Sequence, residues 1–461
     1  MQRRPFLQLL GMTAATASCP LAVRAGRGKR VVVIGAGLAG LSASYMLERL
    51  GYDVVLLEAT QRVGGRVRTL DNIKGRPEGG ANVLGPNYGR AIAYAKTLGV
   101  KLSPPPRPRG SGLLINSTYI PSSDWSESTK NILPSHLNHW MPDQARTLML
   151  PKALVGSSDW LSADQQQWDY SALRFFQEQG LDAEVLDWFA RNNSYGNSLE
   201  DTSLLNLMRV SESIQTAIAM RQPTLVVTGG NSRLPEAMAN ALKTKIVFGA
   251  AISEYEATGS EAIVRTRQGE EFRADAVLFA IPLTTLRDVL FQPKLPSLVA
   301  ELIARTHYHK VLQSHWTLNR DNNNAPPTVV WTNGPLGRLF FNRVDDYTVH
   351  VNAWINGNDV DYWRALRRQT QRQTLEKAMA KIPNASGVLQ HDIDMDWVEE
   401  PYQKGVWASW LPGDIKHIHT LKHAQGRAFF AGEHTGASYS GMEGALESAE
   451  RAVLQIDRAL S

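Results

Sequence analysis

Cysteine is almost absent from this chain of 461 residues, whose single cysteine is Cys19. One thiol near the start of the chain cannot form an internal disulfide and cannot supply a cysteine-ligated zinc site. It also leaves the body of the chain without a cysteine nucleophile. Any redox chemistry must therefore come from a bound cofactor.

The chain also lacks a strong excess of charge of either sign. Its formal net charge is +5, and three of the positive charges, Arg3, Arg4 and Arg24, fall in the first 25 residues, which contain no acid. No long run of lysine and arginine interleaved with aromatic residues occurs. The sequence therefore does not indicate a nucleic-acid partner.

Long hydrophobic runs are missing as well. The apolar stretch over residues 9–23 is short and interrupted by Pro20, which is typical of a signal peptide and unsuited to a membrane span. The twin arginines before it, followed by Phe6 and Leu7, resemble a Tat export signal. We therefore expect residues 1–25 to be removed and the protein to reach the periplasm. A disordered basic tail and lipidation of Cys19 stay open as alternatives.

A glycine-rich turn follows this segment. Residues 30–34 form an apolar run typical of a buried strand, and the motif Gly35-Ala-Gly37-Leu-Ala-Gly40 leads from it into a helix-like stretch. Gly35 permits the turn, Gly37 lets the backbone approach a pyrophosphate, and Gly40 lets the helix pack closely on the sheet. The order of strand, turn and helix predicts a dinucleotide-binding unit.

The residues after this unit indicate which dinucleotide is bound. A second strand over residues 53–57 ends in Glu58, whose carboxylate can accept hydrogen bonds from ribose hydroxyls and repel the extra phosphate of NADP. Arg62 and Arg66 flank a glycine pair that ends at Gly65. This arrangement suits a diphosphate cofactor buried along its whole length, although a basic surface loop is an alternative. We therefore favour FAD over NAD.

Four separated blocks resemble the flavin-containing monoamine oxidase superfamily. With the spacing between them they span nearly the whole chain after residue 29. They are the fingerprint through Arg66, residues 79–90 with their Gly-Pro-Asn, residues 228–283 with a predicted hairpin, and residues 397–445 with Phe-Phe-Ala-Gly-Glu-His-Thr and Gly-Met-Glu-Gly-Ala. The resemblance implies an α/β fold in which a Rossmann-type FAD-binding domain is interleaved with an α+β substrate-binding domain.

The blocks also predict how the two domains divide the chain. The FAD-binding domain is expected from residues 29–88, 224–290 and 396–461. The substrate-binding domain is expected from residues 89–223, helical between 163 and 217, and from residues 291–395, rich in strands. The chain ends at Ser461 without an apolar tail, so we expect no membrane anchor.

The resemblance implies a reaction and the residues that serve it. An amine is oxidised to an imine by hydride transfer to N5 of a non-covalently held FAD, the imine is hydrolysed, and dioxygen or a periplasmic acceptor reoxidises the flavin. The implied catalytic residues are Lys310, which holds a water at flavin N5, and Trp407, one wall of an aromatic cage. The implied cofactor-binding residues are Gly35, Gly37, Gly40, Glu58, Arg62, Gly65, Arg66, Asn82, Gly85, Pro86, Ile252, Trp397, Gly432, Glu433, Gly441 and Met442.

Three positions depart from the pattern of this superfamily. Gly441 replaces the aromatic second wall of the cage, which implies a half-open cage and a bulkier or differently shaped substrate. Val406 stands where covalent members carry a cysteine bonded to the flavin. Tyr88 stands where amino-acid oxidases often carry a carboxylate-binding arginine, which favours simple amines over α-amino acids.

Other functions on the same scaffold stay open at this point. They are desaturation of a hydrophobic isoprenoid or tetrapyrrole, amino-acid oxidation with an arginine from elsewhere, and a non-catalytic flavoprotein that serves exported proteins. His417, His419 and His423 cluster without a carboxylate at a useful interval, so no metal site is predicted. The sequence does not fix the oligomeric state, and a homodimer is compatible with it.

Overall fold

The computed structural model describes residues 28–461 apart from residues 155, 157, 158 and 192. The expected signal segment and Cys19 lie outside the described residues. Within the described part, no helix combines the length and apolar character that crossing a bilayer requires.

The described chain contains strands, α-helices and short 3-10 segments. The strands are β1 (Arg30–Ile34), β2 (Asp53–Glu58), β3 (Leu102–Ser103), β4 (Ser111–Ile115), β5 (Thr118–Pro121), β6 (Val226–Val227), β7 (Ile246–Phe248), β8 (Ile252–Ala257), β9 (Ala262–Thr266), β10 (Glu271–Ala274), β11 (Ala276–Phe279), β12 (Leu290–Gln292), β13 (His307–Tyr308), β14 (Val311–Asn319), β15 (Val329–Thr332), β16 (Arg338–Arg343), β17 (Thr348–Asn356), β18 (Val388–Asp396), β19 (Ala408–Ser409) and β20 (Ala428–Phe430). The α-helices are α1 (Leu38–Arg49), α2 (Gly89–Thr97), α3 (Pro142–Met149), α4 (Ala172–Glu178), α5 (Ala183–Arg191), α6 (Leu204–Ala219), α7 (Arg233–Asn240), α8 (Leu283–Leu286), α9 (Ser297–Arg305), α10 (Asp359–Ala365), α11 (Arg368–Met379) and α12 (Gly441–Leu460). Short 3-10 segments occur at Trp125–Glu127, Asp159–Leu161, Ala163–Trp168, Ile415–Lys422 and Glu433–Thr435.

A five-stranded parallel sheet forms the centre of the nucleotide-binding region, with the strand order β20-β11-β1-β2-β7. Helices α1 and α12 pack together on one face, and the antiparallel strands β8, β9 and β10 cover the other. Because both faces are covered, β11 is buried along its whole length and β1 along all but its first residue. This is the predicted Rossmann-type α/β arrangement.

A seven-stranded sheet with the order β18-β14-β17-β16-β15-β4-β5 forms the second layer. Its strands β14 to β18 come from the second insertion, where the sequence predicts strands. Its outer strands β4 and β5 come from the first insertion, where no strand is predicted, and β4 joins the sheet by pairing parallel to β15. One face of this sheet packs on α10 and α11. Both insertions therefore build one sheet, while the exact domain boundaries stay a prediction.

The predicted helical stretch between residues 163 and 217 is not continuous. It consists of the 3-10 turn Ala163–Trp168 and then α4, α5 and most of α6, with irregular chain between α5 and α6. Ser203 caps the start of α6 by accepting a hydrogen bond from the Asn206 backbone N–H at 3.4 Å. The irregular chain before this cap carries Ser194 and Tyr195 to the cavity described next.

Candidate active site

A cavity of about 580 Å³ joins the glycine turn after β1 to the seven-stranded sheet. At one end it is lined by the turn itself and by the residues that follow β2 and β20. At the other end it is lined by side chains of β14, β16 and β17. The cavity thus lies between the two sheets.

The glycine turn has room for backbone only at two of its three glycines. Gly35 has φ +99°, and an added Cβ would lie 2.8 Å from the Ala280 carbonyl oxygen. A Cβ on Gly40 would lie 1.8 Å from the Gly35 carbonyl oxygen, so Gly40 packs the helix under the turn and does not line the cavity. Gly37 borders the cavity where α1 begins, and the free amides at this helix N-terminus suit a diphosphate.

Glu58 ends β2 inside the cavity wall and is held there by the turn. One carboxylate oxygen accepts a hydrogen bond from the Ala36 backbone N–H at 2.8 Å. The other accepts from the backbone N–H and the hydroxyl of Thr60 at 2.9 and 2.8 Å. A carboxylate has about four lone-pair sites, so acceptor capacity remains for ribose hydroxyls.

The two predicted arginines have different surroundings. Arg62 does not line the cavity: its Nη2 donates to the Gly65 carbonyl oxygen at 2.7 Å, and burial lowers its pKa. Arg66 lines the cavity, and its Nη1 donates to Glu433 Oε1 at 2.9 Å and to the Val406 carbonyl oxygen. Arg62 therefore braces the loop that contains Gly65, while Arg66 is the arginine placed to contact a cofactor.

The remaining predicted cofactor residues divide in the same way. The cavity is lined by Gly65, Asn82, Ile252, Trp397, Gly432, Glu433, Gly441 and Met442. Gly85 and Pro86 do not line it, because the adjoining backbone is occupied by the pairing of Leu84 with Leu225 and by the turn into α2. Trp397 is fixed by a hydrogen bond from its Nε1 to the Gly79 carbonyl oxygen at 2.8 Å.

The N-terminus of α12 opens on the cavity at Gly441 and Met442. Partial positive charge at a helix N-terminus stabilises negative charge that develops near it. In the same first turn, Glu443 accepts hydrogen bonds from the backbone N–H groups of Arg90 and Ala91, at 3.0 and 3.2 Å. This side chain fixes α12 to the start of α2.

Aromatic side chains enclose part of the cavity around Trp407. The ring of Tyr195 stacks on Trp407 with centroids 5.6 Å apart, and Trp407 Nε1 donates to the Ser194 carbonyl oxygen at 2.7 Å. Gly441 has φ +62°, and the nearest atom to an added Cβ is the Tyr88 hydroxyl oxygen at 3.9 Å. Tyr88 thus lies beside the opening that Gly441 leaves.

Lys310 is not brought to the cavity. Its ammonium pairs with Asp361 Oδ2 at 2.6 Å in a partly exposed ion pair, and its backbone N–H donates to Asn197 Oδ1. From the following strand, β14, Gln313 faces the cavity instead. Its Oε1 accepts a hydrogen bond from Asn352 Nδ2 at 3.2 Å, and no described residue accepts one from its Nε2.

Several residues that line the sheet end of the cavity were not predicted from the sequence. Arg338 and Phe340 line it from alternate positions of β16, as Trp354 and Asn356 do from β17. Arg338 is the first residue of its strand and Asn356 the last of its own, and a polar residue at a strand end is common and does not say what it faces. Among the described residues, no group of three or more His, Cys, Asp or Glu is arranged to hold a metal.

The groups that line the cavity fit FAD. A helix N-terminus and Gly37 suit its diphosphate, Glu58 its ribose, and the second helix N-terminus at Gly441 the ring that receives electrons. The residue before Trp407 is Val406, and the only cysteine is Cys19. A cysteinyl bond to the ring is therefore excluded at this site, and FAD is held without one.

Comparison with known proteins agrees with this geometry. The family described as flavin containing amine oxidoreductase matches residues 38–456. Flavin-containing amine oxidase B of Mus musculus is 26% identical over 93% of this chain and 86% of its own, and flavin-containing amine oxidase A of Sus scrofa is 24% identical over 93% and 85%.

Solved structures show the same fold. Cyclohexylamine oxidase from Brevibacterium oxydans superposes with a TM-score of 0.78 at 20% identity, covering 94% of this chain and 99% of its own. Wild-type putrescine oxidase bound to putrescine superposes with a TM-score of 0.75 at 19% identity, covering 93% and 98%. The chain belongs to the flavin-containing amine oxidoreductase family and is a FAD-dependent enzyme that oxidises amines.

Proposed function

We propose that the amine is oxidised at the aromatic end of the cavity, beside Trp407, at the carbon next to its nitrogen. The observation that carries this proposal is that Trp407 and the glycine turn at Gly37 line one continuous cavity. When bound there, FAD would supply the acceptor for the hydride that leaves the carbon next to the nitrogen. The organic product is an iminium ion, which loses an N–H proton to solvent to give the imine. Water then hydrolyses the imine to a carbonyl compound and releases the nitrogen as ammonia or a smaller amine.

The residues of the chain hold the cofactor, orient the amine and exclude water. We assign the cofactor to Gly37, Glu58 and Arg66 at one end and to the start of α12 at the other. Trp407 and Tyr195 form a stacked aromatic wall that orients the amine and excludes water. Burial raises the pKa of the Tyr195 and Tyr88 phenols, so both stay neutral at physiological pH.

The relatives support small amines as substrates, since two of the similar structures are oxidases of cyclohexylamine and putrescine. We propose dioxygen or a periplasmic carrier as the electron acceptor, in keeping with the twin-arginine segment at Arg3 and Arg4. Light scattering on a sizing column checks whether the enzyme is a homodimer.

Anaerobic mixing of the FAD-loaded enzyme with a panel of amines tests the proposal. We expect loss of the flavin absorbance with at least one amine. Trp407→Ala should lower the reduction rate on the order of a hundredfold while FAD stays bound, because the substrate loses its orientation. Trp140→Ala is the matched control, since Trp140 is 45% exposed and outside the cavity. Equal loss of activity in both variants would contradict the role of Trp407.

A further inference from the structure

The cavity carries a positive charge that the proposed reaction does not use. Arg338 begins β16, pairs in register with Trp354 of β17, and lines the cavity. Its Nη2 donates to Asp143 Oδ2 at 3.0 Å, and the described residues offer its guanidinium no other acceptor. A guanidinium has five N–H donors, so most of them remain for a ligand.

The charges around Arg338 do not balance. Arg146 is buried and donates to the Phe189 carbonyl oxygen at 2.8 Å. Burial lowers its pKa to about 10, Asp143 opposes this effect and Arg338 adds to it. Arg146 therefore stays protonated near neutral pH, and two guanidiniums lie close to one carboxylate. This side of the cavity keeps a net positive charge.

The positive charge lies close to the aromatic wall. Burial raises the pKa of the Tyr195 hydroxyl, and both Arg146 and Arg338 oppose that rise. The ring of Tyr195 is the one stacked on Trp407. Arg338, Tyr195 and Trp407 all line the same cavity, so the guanidinium faces the space that we assign to the amine.

No carboxylate of the cavity wall offsets this charge. Among the described lining residues the acids are Glu58, Asp288 and Glu433, and none belongs to the seven-stranded sheet. Asp288 pairs with Lys404 at 2.8 Å, and Glu433 pairs with Arg66 at 2.9 Å. The sheet end of the cavity therefore attracts an anionic group and repels a second cationic one.

We propose that the amine oxidised by this enzyme carries a carboxylate, which Arg338 binds while the nitrogen lies beside Trp407 and Tyr195. This inference rests on the proposed function. A planar guanidinium and a carboxylate can form two parallel hydrogen bonds, a geometry that a lysine cannot reproduce. Tyr88 stands where amino-acid oxidases often carry a carboxylate-binding arginine, and Arg338 of β16 takes that function here. This proposal replaces the expectation of simple amines, which rested on Tyr88.

Substrates of equal length but different end groups test the proposal. The first set is butylamine, 4-aminobutanoate and 1,4-diaminobutane, extended to the propyl through hexyl homologues. Phenethylamine and phenylalanine form a second pair, in which phenylalanine carries a carboxylate on the reacting carbon and phenethylamine does not. Anaerobic flavin reduction should give at least one carboxylate-bearing compound a kcat/KM on the order of tenfold above its plain amine, with the diamine lowest. The best chain length reports the distance from Arg338 to the reacting carbon.

Two variants separate substrate binding from a structural ion pair. Arg338→Met should lower kcat/KM for the carboxylate-bearing substrate about tenfold to a hundredfold and leave the plain amine unchanged, with Arg338→Lys in between. Asp143→Asn breaks the same ion pair but keeps the Arg338 guanidinium, so this variant should still prefer the carboxylate-bearing substrate over the plain amine. Similar losses for every substrate in both Arg338→Met and Asp143→Asn would overturn the proposal.

A binding measurement keeps the inference independent of turnover. Titration with hexanoate should perturb the flavin absorbance of the wild type and of Asp143→Asn, and should leave Arg338→Met unchanged. The inference is refuted if each plain amine reacts as well as its carboxylate-bearing partner and hexanoate does not change the flavin absorbance. The proposed function would stand in that case. If no amine reduces the flavin, the proposed function fails, while the hexanoate titration still decides the role of Arg338.

Discussion

Gln313 is the polar side chain that β14 directs into the cavity. Its amide oxygen is held by Asn352, and its amide nitrogen has no acceptor among the described residues. Such a donor can hold a water or a polar atom of the substrate. Lys310, which the sequence places in that role, forms a partly exposed ion pair with Asp361.

We predict that Gln313→Met lowers the rate of anaerobic flavin reduction roughly fivefold to tenfold, the value of one lost hydrogen bond. Lys310→Met should change this rate by less than about twofold, because exposed ion pairs contribute little. Rapid mixing with a good amine substrate measures both. A larger loss of flavin reduction rate in Lys310→Met than in Gln313→Met would show that Lys310, and not Gln313, serves the reaction.

Glu78 gives the fold a pH dependence with an unusual sign. Its carboxylate accepts hydrogen bonds from the Asn231 backbone N–H at 2.7 Å and from the Thr69 hydroxyl at 3.0 Å. Burial nevertheless raises its pKa from 4.5 to about 7. The folded state therefore binds a proton more tightly than the unfolded state does, and the contribution of Glu78 to stability falls as pH rises from about 4.5 to 7.

We expect Glu78→Gln to remove this dependence. The free energy of unfolding of the variant, relative to that of the wild type, should rise by up to about 3 kcal/mol between pH 5 and pH 8. Urea unfolding of both proteins at several pH values measures the difference. If the stabilities of the two proteins change with pH in parallel, the pKa of Glu78 is not raised in the folded state.

At the scale of elements, α12 is attached to α2 through the buried carboxylate of Glu443 and through an ion pair of Glu450 with Arg90 at 2.9 Å. Glu443 is 1% exposed and accepts the backbone N–H groups of Arg90 and Ala91, which have no partner inside the first turn of α2. Arg90 also donates a side-chain hydrogen bond to it at 3.1 Å. The N-terminus that opens on the cavity is therefore positioned by a contact on the opposite side of its first turn.

We predict that Glu443→Ala destabilises the protein by roughly 3 kcal/mol, because two buried amides lose their acceptor and the Arg90 guanidinium keeps only Glu450. Bound FAD should be lost more readily as the start of α12 shifts. Leu454→Ala is the control on the same helix, since Leu454 is 49% exposed. Chemical unfolding and the FAD-to-protein absorbance ratio measure the two effects. Equal changes in both variants would contradict the attachment.

Local elements of this chain can be predicted because their signals are local. The β1 run, the glycine turn and the start of α1 stand next to one another in sequence, and each residue type is required by its own backbone geometry. The direction in which the Lys310 side chain points could not be predicted in this way. It precedes β14, so strand alternation does not set its direction, while Gln313 is inside the strand and its direction is set by the sheet.

At the scale of the whole molecule, the cavity exists only where two distant parts of the chain meet. β4 and β15 are more than two hundred residues apart and pair in parallel, and Arg338 reaches the cavity because that sheet packs over the nucleotide-binding region. Pairing across such separations leaves no local pattern in the sequence. Most residues at the cofactor end of the cavity could therefore be named from the sequence, although Arg62, Gly85 and Pro86 do not line it. Of the substrate region, Trp407 could be named, while the strands that carry Arg338 and Gln313 could be predicted only as strands.

The position of the cofactor site has a consequence for export. FAD fits between two sheets assembled from widely separated segments, so the chain must be folded before the cofactor can be enclosed. The export that we propose would therefore require an enzyme loaded with FAD in the cytoplasm to cross the membrane in its folded state, which is what a twin-arginine signal serves. The central sheet begins at Arg30, beyond the segment that we propose to be the signal.

We predict that the double variant Arg3→Lys, Arg4→Lys accumulates in the cytoplasm as an active, FAD-loaded enzyme. The exporter reads the arginine pair itself, so lysines with the same charge should not replace it. Arg24→Lys is the control, because it makes the same exchange within the leader but away from the pair. Cell fractionation with an amine-oxidation assay and flavin absorbance in each fraction measures the outcome. Unchanged periplasmic activity in the double variant would exclude a twin-arginine signal, and loss of FAD from the cytoplasmic protein would show that the leader assists folding.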